Sequence, residues 1–427
     1  MILFIFSIIL YFFILIIKTR FLINLLPLRS SFFKFNPISI YFWLGFPIEL
    51  FKIIIGPIII TTLFEDFFYI GIAILFGALS NIIELMIIYI LSKSLIKYDF
   101  KYNFKEIKTI NINFKPLSLI FFICFLTSFY LLASKEFGVI NWLNNPRLGY
   151  QLYREGSGQY WILSVSFLAL SFSILMLNQL SIIRRSTYFL FYSYCAFLLG
   201  SKGLVIEYLI FYILILWLYK DKNLKKILIL ITPIIILGIL YNFYTSVENF
   251  DIESVATYFT YYTNSGMYFK EYYTDRINLY YGKLFLTDFW SLVPRSIIKE
   301  KPYVYGILEI NEYFFPGAAE MTNTPAFGGP ILYFADFGIL GVVFFTIFNP
   351  ILIIRLLFYL VTVRNLEINT IKNNFSIFFL FLVFFSPYFL ALVVFPLNFF
   401  FVLIILTIFL IYIKSKIKYT EIEHNLR

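Results

Sequence analysis

Histidine is almost missing from this chain of 427 residues: His424, three residues from the end, is the only one. The two cysteines, Cys124 and Cys195, both fall inside apolar runs. Zinc sites built on His and Cys, Cys–His nucleophiles and Ser-His-Asp triads therefore lack their parts, and no disulfide framework is indicated. Charge is scarce as well. Only 14% of residues carry it, against roughly a quarter in a soluble domain. Apolar side chains fill the space instead, at 61% of the chain, with 22% aromatic and a mean hydropathy of +0.86. That excess is too large for a bigger core to explain. Disorder, a nucleic-acid-binding domain and a small disulfide scaffold are excluded, and a multi-spanning membrane protein remains.

A membrane helix needs about 20 mainly apolar residues. Such runs predict spans at about Ile2–Ile17, Ile38–Leu63, Phe67–Leu91, Leu117–Ala133, Tyr160–Leu177, Thr187–Leu199, Leu204–Tyr219, Ile227–Tyr244, Tyr333–Leu360, Phe375–Val393 and Asn398–Ile413. The expectation is an all-α integral membrane protein with about eleven transmembrane helices, in a range of 10–13. Long continuous runs do not suit a β-barrel, whose strands are short and alternating. No small-residue cleavage site follows the first run, which predicts a retained helix.

Basic residues orient the spans. Lys18, Arg20 and Arg29; Lys93 to Lys108; Arg184 and Arg185; Lys220 to Lys226; Arg364 and Lys372; and Lys414 to Lys418 all fall on one face if there are eleven spans. The positive-inside rule makes that face cytoplasmic, with the N-terminus outside and the C-terminus inside. The layout is then spans one to eight over 1–244 with a short outer loop at 135–159, a large extracytoplasmic loop at 245–332, spans nine to eleven over 333–413, and a basic cytoplasmic tail at 414–427. A loop as long as 245–332 is usually functional. Its aromatic and polar stretches, such as Ser254 to Tyr281, suit amphipathic helices at the membrane surface.

Cations on the outer face break the insertion rule. The short loop carries Asn144-Asn145-Pro146-Arg147-Leu148-Gly149-Tyr150 and then Arg154-Glu155-Gly156-Ser157-Gly158. The hairpin between spans six and seven holds Gly200-Ser201-Lys202-Gly203, and the long loop holds Pro294-Arg295 and Lys299-Glu300-Lys301-Pro302. Guanidinium forks and ammonium groups are what a phosphate or diphosphate requires, and Gly lets backbone N–H groups approach an anion. Each cation alone has a plainer reading, as a partner of lipid headgroups or of a carboxylate such as Glu207 beside Lys202. The set of three loops favours an anion site.

A carboxylate can act as general base on a sugar hydroxyl. The outer candidates are Glu155, Glu309, Glu312, Glu320 and Asp336, among the turn-rich stretches Tyr313–Gly317 and Asn323–Pro330 that suit a re-entrant segment. Within spans, Glu49 with Lys52 and Asn81 with Glu84 are i,i+3 pairs that share a helix face. Gly156-Ser157-Gly158 lacks a Rossmann unit, and Asp336-Phe337-Gly338 lacks the rest of a kinase, so neither match carries weight.

At these residues the chain resembles the Wzy-type O-antigen polymerases, the oligosaccharide repeat-unit polymerases of bacterial surface polysaccharide synthesis. The resemblance rests on Trp142 to Gly158, on Gly200 to Gly203, on Val293-Pro294-Arg295 through Lys301-Pro302, and on Gly329-Pro330 to Tyr333 with Asp336 to Gly341. It implies a fold like that of lipid-linked (GT-C-like) glycosyltransferases, and a metal-independent glycosyltransferase of the inner membrane that uses no cofactor. Its substrates would be undecaprenyl-diphosphate-linked oligosaccharides. Membrane lipid, a chain-length regulator and a flippase would be its partners, and nucleic acid would not. On that basis Arg147, Arg154, Lys202, Arg295 and Lys301 are expected to bind the diphosphate, and Glu155, Glu312 or Glu320 to act as base. An O-antigen ligase-like glycosyltransferase or a lipid-linked oligosaccharide flippase is the alternative. The missing outer histidine weighs against a ligase, and unusual residues gathered on one face weigh against a flippase.

Overall fold

The computed structural model describes residues 1–25, 37–63, 65–97, 113–136, 138–152, 157–176, 178, 180–218, 256–257, 259–293, 298, 300–317 and 325–347. Among them every regular element is a helix. In chain order these are α1 (Ile2–Leu25), α2 (Pro37–Leu50), a π-helical turn (Phe51–Ile55), α3 (Gly56–Ile60), α4 (Asp66–Lys97), α5 (Lys115–Glu136), α6 (Val139–Asn144) and α7 (Pro146–Leu152). They continue as α8 (Gly158–Met176), α9 (Ile182–Leu198), α10 (Lys202–Leu218), α11 (Tyr261–Tyr273), α12 (Lys283–Thr287) running into a 3₁₀ turn (Asp288–Leu292), α13 (Leu308–Phe314) and α14 (Ile331–Ile347). Four of them, α1, α4, α5 and α8, are long and apolar enough to cross a membrane, so the protein is a multi-pass membrane protein. The spans expected at Ile227–Tyr244, Phe375–Val393 and Asn398–Ile413 lie outside the described residues.

The described residues form two compact units. The first is drawn from 1–102, 243–291 and 302–361; the second from 103–242, 292–301 and 362–427.

In the first unit α1 packs along α4. Phe4, Ser7, Tyr11 and Ile14 of α1 are buried, whereas Ile2, Ile5, Phe6, Ile9, Phe13 and Ile16 are exposed at helical spacing, the face left to lipid. Near the end of α1, Lys18 Nζ meets Glu84 Oε2 at 2.6 Å and also bonds Asn81 Oδ1. The expected Asn81–Glu84 pair on α4 is thus a shared receptor for one ammonium from α1. Removing one member of such a buried pair costs about 3–5 kcal/mol.

Helix α11 belongs to the stretch expected as an outer loop, yet it runs antiparallel beside the first half of α4. Tyr262 lies against Gly77, Gly266 against Ile70, and Lys270 Nζ reaches Asp66 Oδ1 at 2.7 Å. Gly266 permits this closeness, because a Cβ there would meet the Ile70 backbone at 3.0 Å. The segment 325–330 then lies along α11. Ser265 Oγ donates to Gly328 O (2.9 Å), Gly328 N donates to Tyr261 O (2.8 Å), and Asn264 Nδ2 donates to Ala326 O (2.8 Å). From there α14 begins, and its Phe334 closes an aromatic cluster with Phe76 of α4 and Phe269 of α11 at 4.9–5.0 Å.

In the second unit α8 is the central helix, with its residues from Ser164 to Met176 buried. Its contact with α5 is laced by serines: Ser118 Oγ donates to Ser171 O (2.8 Å), Ser171 Oγ to Ser118 O (2.7 Å), and Ser164 Oγ to Ser128 Oγ (3.0 Å). Small hydroxyl residues let two helices approach closely where lipid gives no hydrophobic drive. Helices α9 and α10 complete the unit as a hairpin.

Gly266→Val tests the α4–α11 contact. Overpacking there is expected to cost about 1–3 kcal/mol, read as a lower melting temperature of the detergent-solubilised protein, with insertion into membranes unchanged.

Candidate functional site

In the second unit the α9–α10 end is organised by two indoles. Trp142, fully buried on α6, donates through Nε1 to Leu198 O (2.8 Å), and Trp161 at the start of α8 donates through Nε1 to Leu199 O (3.1 Å). Both hold the turn that joins α9 to α10. In that turn Gly200 has φ +73, and a Cβ on it would strike the Pro146 carbonyl and Tyr150 of α7. Glycine is therefore required twice, for its backbone conformation and for the close approach.

This docking brings two of the expected anion-binding positions together. Arg147 follows Pro146 on α7, and α10 begins at Lys202, two residues after Gly200. The Arg147 guanidinium lies 5.2 Å from the Tyr150 ring, and its buried Nε has no hydrogen-bond partner among the described residues. A desolvated donor without an acceptor is costly. An oxyanion is a partner that suits such a donor.

Lys301 also belongs to this unit, since the stretch 292–301 groups with it and not with the rest of the long loop. It is buried, and its Nζ donates to Val293 O at 2.9 Å. Its ammonium thus has a structural task beside any binding one. Arg295, Arg154 and Glu155 lie outside the described residues.

The remaining carboxylates are in the first unit. Glu312 on α13 has one oxygen pinned by the Gly317 N–H (2.8 Å), while buried Oε2 has no partner among the described residues. That leaves one desolvated, positioned oxygen able to accept a proton. Glu320 lies outside the described residues. Glu309 is paired with Lys283 at 2.9 Å. Asp336, 2% exposed, accepts from the backbone N–H groups of Gly282 (2.8 Å), Leu284 (3.1 Å) and Phe285 (2.8 Å). It caps α12 from α14, a structural task that engages both of its oxygens. Nearby, burial first, then Glu309 and Tyr313, push the Tyr280 phenol up to about 12, so it is a hydrogen-bond donor and not a base.

Unlike Arg147, Lys202 and Glu312, the indole anchors are not marked by charge, but they carry a signal: Trp is rare in the chain, with five copies, and two of them, Trp142 and Trp161, lie within and just after the 135–159 stretch.

With this geometry in hand, comparison with known proteins is informative. The likeness is to O-antigen polymerases. Those of Salmonella typhimurium (strain LT2) and Salmonella typhi are each 31% identical over 215 residues, covering 49% of this chain and 51% of theirs. The chain spans about half the length of the curated relatives it matches. No protein-family model and no solved structure matches it.

Trp142→Phe removes the donor to Leu198 O while keeping an aromatic ring. It is expected to cost about 1 kcal/mol and to speed tryptic cleavage after Lys202 in outward-facing vesicles. Unchanged cleavage would mean that the indole does not hold the turn.

Proposed function

We propose that the protein polymerises lipid-linked oligosaccharide repeat units into O-antigen or a related surface polysaccharide at the outer face of a bacterial inner membrane. The likeness to O-antigen polymerases over half the chain carries this reading. The open guanidinium of Arg147 beside the Gly200–Lys202 turn supports its chemistry.

In this reading eleven spans put the N-terminus outside and the C-terminus in the cytoplasm, and 245–332 enters from the outer side, with α11 re-entering beside α4. The donor is a growing glycan on undecaprenyl diphosphate, and the acceptor is a single lipid-linked repeat unit. An acceptor hydroxyl oxygen attacks the anomeric carbon of the donor. The bond from that carbon to the diphosphate oxygen breaks, its electron pair leaves with the lipid diphosphate, and the hydroxyl proton passes to a carboxylate. Charge grows on the leaving diphosphate, so fixed cations in a low-dielectric cleft stabilise the transition state more than the ground state. Arg147, Arg154, Lys202 and Arg295 take that role, with Lys301 next. Glu312 is the base that the geometry favours over Glu155 and Glu320, because one of its oxygens is held and the other open. A chain-length regulator and a flippase would act beside it.

Deleting the gene is expected to leave cells displaying single repeat units and no long chains. A lost flippase would display no unit at all, and that result would reject the proposal. In the complemented strain, Arg147→Ala and Arg295→Ala are expected to abolish the long-chain ladder with the protein still in the membrane. Glu312→Gln should slow polymerisation by about 10²–10⁴-fold, the usual contribution of a general base. A normal ladder from any of these variants removes that residue from the mechanism.

A further inference from the structure

The first unit holds a second polar constellation that the polymerase chemistry above does not use. Lys52, in the π-helical turn that follows α2, donates to Glu49 Oε1 at 3.0 Å. Tyr11 of α1 donates to Glu49 Oε2 at 3.1 Å. The Lys52 ammonium also sits 4.6 Å from the centre of the Tyr261 ring, at the start of α11. The Tyr262 hydroxyl lies within interaction range of both Tyr11 and Glu49. Four elements thus converge on one ion pair.

Its depth is what needs explaining. A Cβ on Gly77 would meet the Tyr262 hydroxyl at 2.7 Å, and Gly77 lies eleven residues along α4 from Asp66. At 1.5 Å per residue that is about 16 Å, half of a hydrocarbon core of about 30 Å. Even so, the Lys52 and Glu49 side chains remain 22% and 25% exposed. An ion pair open to acyl chains at that depth would cost several kcal/mol. The open side therefore faces water or a polar ligand, and π-helical turns recur at such functional places.

The free valences define the ligand. A carboxylate has about four acceptor positions and an ammonium three donors. One N–H of Lys52 goes to Glu49 and another points at the Tyr261 ring, while each Glu49 oxygen accepts one bond. What remains is an acceptor beside a donor, next to an aromatic face. A sugar hydroxyl fits both, donating to Glu49 and accepting from Lys52, and a pyranose ring offers C–H groups to an aromatic ring. An anion would be repelled by Glu49, and a cation by Lys52.

We infer that the Glu49–Lys52 pair, with Tyr11, Tyr261 and Tyr262, is a sugar-binding site that seats a pyranose of the lipid-linked substrate within the membrane part of the first unit. This rests on the reading of the protein as a repeat-unit polymerase. Glu49 is held by Lys52 and Tyr11, and the site binds and positions the sugar.

The test uses the full-length protein in detergent and the lipid-linked single repeat units extracted from cells lacking the gene. A water-soluble carbodiimide with a small amine should modify Glu49, detected by mass spectrometry. The repeat-unit lipid should protect it, while undecaprenyl diphosphate without sugar should not. No modification of Glu49, or equal protection by the bare lipid, overturns the inference. In cells, Glu49→Gln and Lys52→Met should each reduce long chains by about ten- to a hundredfold, the worth of a hydrogen bond to a charged group. The exchanged pair, Glu49→Lys with Lys52→Glu, rebuilds the ion pair with its donor and acceptor reversed and should not restore the ladder. Restoration would make the pair a structural clamp. If the deleted strain fails to display single units, the polymerase reading itself has failed. If it displays them and Glu49→Gln makes a normal ladder, only this inference has.

Discussion

A polar group inside hydrocarbon must find a partner in the protein, and most of the described structure follows from that demand. Helix α11 shows it best. Its N-terminal half carries Asn264 and Ser265, and both side chains bond the backbone of the 325–330 segment. That segment has no secondary structure of its own to satisfy its peptide groups. It can lie against α4 only because α11 supplies donors and acceptors along its length. The Lys18 ammonium between Asn81 and Glu84, and the Lys270–Asp66 pair at the head of α4, are the same solution for charge. For Lys270 the bond to Asp66 outweighs burial and raises its proton affinity, so this contribution is complete below the ordinary lysine range and is lost only as pH climbs through the raised value.

The second unit applies the demand with neutral groups. Serine hydroxyls on α5 and α8 bond across the helix pair, and the two indole N–H groups hold carbonyls that α9 leaves unpaired at its C-terminal end. The outcome is a turn anchored from two helices. Beside it, the buried Nε of Arg147 has no partner among the described residues. A cation already engaged by a neighbouring carboxylate would have to break that pair to bind a ligand.

The spans were legible where apolar runs are continuous. The runs at Phe67–Leu91, Leu117–Ala133 and Tyr160–Leu177 coincide with α4, α5 and α8 to within a few residues, apart from the longer C-terminal end of α4. Which face of α1 is buried was not legible, because apolar residues surround it and only packing distinguishes Phe4 from Phe6. Helix α11 lies in the Ser254–Tyr281 stretch expected to form amphipathic helices along the membrane surface, and its polar residues Asn264, Ser265 and Lys270 are paired within the protein. Their partners lie on α4 and near residue 327, too distant in sequence for any local pattern to reveal. The candidate site divides in the same way. Arg147 and Lys202 stood out because they break the charge rule of insertion, whereas Asp336 looked catalytic until its three backbone donors were seen.

The carboxylates of the first unit can be told apart by counting bonds on each oxygen. Asp336 accepts three backbone N–H groups, which leaves about one acceptor position. Glu49 accepts one bond on each oxygen, and each oxygen keeps capacity for a ligand hydroxyl. Glu312 has one oxygen held by the Gly317 N–H, and its buried Oε2 has no partner among the described residues. The three carboxylates thus show three patterns of saturation, accepting three, two and one bonds among the described residues. The chain builds each of them from the same functional group by changing only what surrounds it.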